Sequence, residues 1–165
     1  MSFEFAIDRT FDAPRDLVFR VWTEAEHLQQ WFGPKGVTMF HCSNDFRPGG
    51  VMLYGLRSPG MGDYWGRWVY REIVPPEKLV FIVSFSDAEG GVTRHPMAPD
   101  WPLHTLSTIT FEPEGENKTK VTVRWTPWDA TEPEEKAFEA GATSMQGGWT
   151  GTFENLEAYL QAVRK

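Results

Sequence analysis

The sequence predicts an α+β fold. A curved antiparallel sheet of about seven strands wraps around one long C-terminal helix, with two short helices after the first strand. Three observations predict it. Short alternating apolar runs separated by Gly- and Pro-containing turns fill the middle of the chain, which is the pattern of an antiparallel meander. Helical patterns occur only just after the first strand and at the end, so helices and strands are segregated. The only long amphipathic pattern is the last one, and a sheet with an apolar face needs such a helix to cover it.

Phe3, Phe5, Ile7 and Phe11 alternate with polar residues and form the first strand. Asp12-Ala13-Pro14 follows, with Asp12 or Ala13 able to cap and Pro14 suited to a first helical turn. Leu17, Val18, Val21 and Trp22 make a helical stripe. A second short helix starts at Thr23, with Glu26 completing a capping box, and stops at Trp31-Phe32-Gly33-Pro34. Strands are then expected over Val37 to Phe46, Val51 to Leu56, Tyr64 to Val74 and Leu79 to Phe85. Turns at Arg47-Pro48-Gly49-Gly50, Ser58 to Asp63 and Pro75-Pro76-Glu77-Lys78 separate them. Asp87 to Pro102 is long for a loop and is a candidate lid. Leu103 to Phe111 and Lys120 to Thr126 form a last hairpin turned at Glu114 to Asn117. Thr131-Glu132-Pro133-Glu134 is a capping box that launches the final helix.

In that helix Phe138, Ala142, Met145, Trp149, Leu156, Leu160 and Val163 recur at steps of four and three, apart from the gap between Trp149 and Leu156. Gly141, Gly147, Gly148 and Gly151 surround Trp149. Each glycine in a helix interior costs roughly 0.5–1 kcal/mol relative to alanine. Something therefore approaches this backbone closely. Sheet packing accounts for Gly141 and Gly151, and a bend at Gly147-Gly148 would open room for a ligand.

A chain of 165 residues, 41% hydrophobic, suits one domain spanning 1–165. A net charge of −7 argues against nucleic acid or an anionic membrane surface as partner. A single cysteine, Cys42, excludes an internal disulfide and fits a reducing compartment. With no signal-peptide pattern and no long apolar run, the expected location is cytoplasmic.

The segments Arg9 to Pro14 with Val18-Phe19 and Trp22, Trp31 to Pro34, Phe46 to Gly50, Tyr70 to Glu77 with Leu79, and Gly148-Trp149 carry a further signal. Together they resemble the START-like (SRPBCC) superfamily, in the subgroup homologous to the activator of the heat-shock protein 90 ATPase. The resemblance covers nearly the whole chain and implies a helix-grip fold with a cavity between the sheet and the last helix. It is poorly specific for function, because this fold hosts lipid carriers, hormone receptors, polyketide cyclases and co-chaperone domains. Trp68 departs from the pattern, standing where the family has a glycine; an inward ring would partly fill the cavity.

Catalytic chemistry finds little support. His27, His41, His95 and His104 show no metal-ligand spacing, and neither a metal nor a cofactor is expected. His41 and Cys42 are strand neighbours, so their side chains point to opposite faces. The glycine turns lack the strand–glycine–helix context of a phosphate cradle. Asp45, Glu72 and His104 would serve an enzyme only if they faced the cavity; Arg67, Arg71 or Arg124 could instead pair with the carboxylates.

The aromatic set is the better candidate. Phe81, Val83 and Phe85 line one strand face. Trp31, Phe32, Tyr54, Trp68, Tyr70, Trp101, Met145, Trp149 and Phe153 join them as candidate ligand-binding residues. The leading expectation is a non-enzymatic protein that binds a small apolar or amphipathic ligand. The alternatives are a cyclase- or hydrolase-like enzyme using the same cavity and, by analogy with the family, a co-chaperone-like module docking on a chaperone ATPase. A homodimer is compatible with the sequence and not demanded by it.

Overall fold

The computed structural model describes residues 3–60, 62–95 and 98–163. Met61 in the expected Ser58 to Asp63 turn, and Pro96 and Met97 in the expected lid, lie outside the described residues. The order is β1 (Phe5–Phe11), α1 (Arg15–Thr23), α2 (Ala25–Trp31), β2 (Thr38–Asn44), β3 (Val51–Ser58), β4 (Gly62–Val74) and β5 (Lys78–Ser86). Then come β6 (Val92–Thr93), β7 (Thr105–Pro113), β8 (Thr119–Pro127), α3 (Glu132–Ala140) and α4 (Ala142–Val163).

The described residues form an eight-stranded sheet in the order β1-β8-β7-β5-β4-β3-β2, with β6 added to the end of β5. Every pairing is antiparallel. Alternation decides which side chains face the core. Along β5, Leu79 and Phe81 are buried while Val80 and Ile82 are half-buried on the other face.

Two local expectations differ. Pro14 itself stands at the N-cap of α1. No capping box forms at α2, whose N-cap is Glu24 without a side-chain hydrogen bond. The Thr23 hydroxyl instead turns back and donates to the Phe19 carbonyl at 3.0 Å, the competing local bond open to a threonine at a helix end. By contrast, the Thr131–Glu134 capping box forms as expected.

The final helical pattern is two helices rather than one. The break falls at Gly141, the C-cap of α3, and not at Gly147-Gly148, through which α4 runs continuously. A Cβ on Gly141 would lie 2.7 Å from Trp101 Cζ3, so the indole from the preceding segment occupies the space a side chain would need. Gly151 is a packing glycine, since its Cβ would come within 3.1 Å of the Lys35 backbone nitrogen. Gly147 has no neighbour within 4 Å, and the only neighbour of Gly148 is Pro34 Cγ at 4.0 Å. No described helix is long and apolar enough to cross a membrane.

Candidate functional site

A cavity of about 670 Å³ lies between the inner face of the sheet and the junction of α3 with α4. Its floor comes from register. Trp68 pairs with Val83 and Gly66 with Phe85 across β4 and β5, and Tyr54 on β3 pairs with Gly66. The Tyr54 ring covers Gly66, where a Cβ would be 2.5 Å from it. Trp68 faces inward and stacks on Phe81 at 3.9 Å with the planes 15° apart. It therefore paves the floor and leaves the volume above it open.

The roof is built of small residues. Ala137, Gly141, Ser144 and Gly148 lie three or four apart, Ala140 adjoins Gly141, and all line the cavity. That spacing puts them on one helical face. Large floor residues facing small roof residues leave a void. The wall at one end is Trp149, which stacks on Trp22 at 6.0 Å and meets Trp125 edge-on at 5.7 Å.

The described parts of the expected lid are held at both ends. Asp87 Oδ1 accepts from the backbone nitrogens of Glu89 and Gly91, and β6 pairs with β5. Arg94 forms an ion pair with Glu134, whose carboxylate also accepts from the Thr131 and Leu103 backbone nitrogens. Burial pushes the Glu134 pKa up, but the hydrogen bonds from Thr131, Arg94 and Leu103 outweigh it and hold the group below its ordinary value. Trp101 then lies against Phe138, with ring centres 5.5 Å apart, and closes one side of the cavity.

Among the described residues, no Asp, Glu, Lys or Arg lines the cavity. Polarity comes from hydroxyls and one imidazole. Ser107, fully buried on β7, accepts from Trp125 Nε1 at 2.9 Å, which leaves its hydroxyl proton to donate elsewhere. Burial raises the Tyr54 pKa, so this phenol stays a neutral donor. Burial lowers the His95 pKa and favours its neutral ring, which lies against Phe85 at 4.6 Å.

Of the residues singled out from sequence, Phe32, Tyr54, Trp68, Phe81, Val83, Phe85, Trp101, Met145 and Trp149 line the cavity. Trp31, Tyr70 and Phe153 do not. Trp31 donates its Nε1–H to the Val21 carbonyl at 3.0 Å and packs on Trp22. Tyr70 lies beyond the Trp68–Phe81 stack, with its hydroxyl on Asn44 Oδ1 at 3.0 Å. Phe153 is wedged edge-on against Phe11 at 5.4 Å. Sequence reasoning missed the roof residues Ala137, Ala140 and Ser144, although their helical spacing was a signal. It also missed Thr105 and Ser107, where the inward face of β7 turns from aromatic to hydroxylated.

The titratable candidates lie elsewhere. Asp45 is exposed and pairs with Arg47 at 2.9 Å. Glu72 pairs with Lys78 at 2.8 Å. None of Arg67, Arg71 and Arg124 pairs with either carboxylate: Arg124 takes Glu4, Arg71 covers the Trp128 ring, and Arg67 donates to the Gly90 carbonyl. His104 Nδ1 lies 2.7 Å from Ser84 Oγ and the residue lines a recess on the other face of the sheet. Cys42 packs against the core, and burial pushes its thiol up to about 11, while His41 is exposed beside Trp65. No group of His, Cys, Asp and Glu among the described residues is arranged to hold a metal ion.

The family is shown by the sequence, which matches one family profile over most of its length. Residues 12–161 match the family described as Activator of Hsp90 ATPase homolog 1-like protein. The chain belongs to that family. The helix-grip architecture recurs in solved structures. A protein from Arthrobacter aurescens is 25% identical with a TM-score of 0.79, covering 98% of this chain and 87% of that one. A Mycobacterium smegmatis protein is 21% identical with a TM-score of 0.74 over 95% and 90% of the two chains. The AHSA1 protein of Silicibacter pomeroyi is 16% identical with a TM-score of 0.74 over 99% and 100%. Among curated proteins no significant match is found.

Proposed function

We propose that this protein binds a small, neutral, apolar or amphipathic molecule between the sheet and the α3–α4 junction. The observation that carries the reading is the 670 Å³ cavity, lined by aromatic and small residues without a formal charge. That size is ordinary for a small-molecule site. Burial of apolar surface, at roughly 25 cal/mol per Å², supplies the affinity. Ser107 and Tyr54 supply hydrogen-bond donors that orient an oxygen on the ligand. An anion would lose its hydration here and gain no counter-charge.

Binding is preferred to catalysis because Asp45, Glu72 and His104 all lie outside the cavity. The chaperone reading rests on the family's name, and no feature of the geometry favours it. The test is a titration of tryptophan fluorescence with 2-naphthol and with 2-naphthoate. Saturable quenching by the neutral compound, lost in Gly148→Leu, is the expected result. Equal affinity for the anion, or an unchanged response in that variant, would falsify the reading.

A further inference from the structure

A second recess of about 180 Å³ opens on the outer face of the sheet, behind the cavity. It is built on adjacent strands. Arg67 pairs with Ser84 and Val69 with Ile82 across β4 and β5. His104 enters beside them ahead of β7, held by Ser84 Oγ at 2.7 Å. The rim is apolar: Val92 and Trp128 line it and leave 38% and 37% of their surfaces exposed.

We propose that this recess binds a small monocarboxylate, with its carboxylate on Arg67 and His104 and its apolar body against Trp128 and Val92. Arg67 carries the argument. Its Nη1 donates to the Gly90 carbonyl, but its Nε is buried and has no hydrogen-bond partner. Among the described residues it has no ion pair, although the chain carries an excess of acidic groups. A buried guanidinium edge without an acceptor is costly, and a side-chain rotation toward the recess offers that edge to an anion. Nε–H and an Nη2–H form the fork that grips a carboxylate.

The surroundings select the ligand. With Nδ1 held by Ser84, His104 has its Nε2 edge left for a ligand. Arg71 lies 4.8 Å over the Trp128 ring and adds a second cation at the rim. The volume corresponds to roughly six waters at about 30 Å³ each, which suits an acid built on one aromatic ring. The apolar lining from Val69, Ile82, Val92 and Trp128 favours a carboxylate that carries an apolar body over inorganic phosphate.

Benzoate, benzamide and inorganic phosphate are the probes. The readout is the Arg67 Nε–H and Trp128 indole resonances of the labelled full chain. Benzoate is expected to shift both saturably at millimolar concentration while the Trp149 indole stays still. Benzamide, which lacks the charge, is expected to leave them unmoved. Arg67→Gln should weaken benzoate by about tenfold or more, as loss of charge-assisted bonds requires. Arg67→Lys, which keeps the charge and loses the fork, should weaken it less and serves if the glutamine variant does not fold. Four results overturn the proposal: no saturation, equal shifts with benzamide, tighter binding of phosphate, or unchanged affinity in both variants.

Discussion

The two ends of α4 meet the same sheet and pack against it in opposite ways. Toward its N-terminus, the face that continues from α3 reads Ala137, Ala140, Gly141, Ser144 and Gly148, and the space beneath is hollow. Toward its C-terminus the face reads Phe153, Leu156 and Leu160, all at most 2% exposed, and the space beneath is filled. The floor does not explain the difference, since it carries aromatics in both halves: Phe11 meets Phe153 in the packed half, and Trp68 stacks on Phe81 in the hollow one. The void follows from the size of the helix residues above it. Trp149 marks the boundary, touching Trp22 and Phe153 on the packed side and lining the cavity on the other. The cavity is therefore written into the helix as a run of small residues. The latch from Arg94 to Glu134 then holds a wall over a space that packing alone would not close.

The sharpest way to break this comparison is to remove one large side chain from each half. Phe153→Ala opens a new cavity in the packed half and should cost about 3–5 kcal/mol of unfolding free energy. Met145→Ala enlarges a space that already exists, so it should cost nearer to 2 kcal/mol, the low end for methionine. Urea unfolding of both variants decides the matter. Equal losses would mean that the hollow half is filled in solution.

The latch comes next in size. Glu134→Gln keeps the shape and removes the charge that Arg94 and the Thr131 and Leu103 N–H groups address, at a cost of roughly 1–3 kcal/mol. The sign of the pH effect follows from its lowered pKa. Its stabilisation is present above the ordinary value of 4.5 and is lost as the pH falls through the lower folded-state value. Acid should thus loosen Trp101 and the cavity wall while Phe153 stays packed. Hydrogen exchange below pH 4.5 should show protection lost around Gly141 first. Uniform loss along α4 would reject the idea.

Filling the hollow half gives a smaller change in stability and a large one in binding. Gly148→Leu places a branched side chain beside Pro34, where only one atom lies as near as 4.0 Å. The variant should fold with a midpoint close to the parent and bind 2-naphthol at least about tenfold more weakly, since a blocked apolar site forfeits its burial term. A lowered midpoint with binding intact would place the ligand elsewhere.

How much of this was legible in the sequence depends on whether the cause was local. Strand alternation and Gly/Pro turns are local, and β5 follows its expected span within one residue at each end. The Thr131 box is local and formed; the Thr23 box looked the same but lost to a bond back to Phe19. The break at Gly141 was hidden, because Phe138, Ala142 and Met145 carry the helical stripe across it, and the indole that leaves room only for a glycine there arrives from Trp101 in another segment. Tyr70 and Trp68 share one strand face, and only their position along the helix makes one core and the other floor. Large residues pointed to the floor and the glycines Gly141 and Gly148 to the roof, while Ala137, Ala140 and Ser144 carried no signal beyond their helical spacing.

The smallest expected effects test the glycines themselves, one from each half. Gly147 is exposed, helical, and free of neighbours within 4 Å. Gly147→Ala should therefore stabilise by roughly 0.5–1 kcal/mol, the helix-propensity difference alone. Gly151 has the same propensity term available, but its new Cβ would press on the Lys35 backbone nitrogen and Cγ, each at 3.1 Å. The side chain of Lys35 can swing away, whereas its backbone follows the Gly33-Pro34 turn and gives less readily. Gly151→Ala should gain nothing or lose stability. If both alanines stabilise equally in thermal unfolding, the contact at Gly151 is loose, and the packed half begins further along α4 than Trp149.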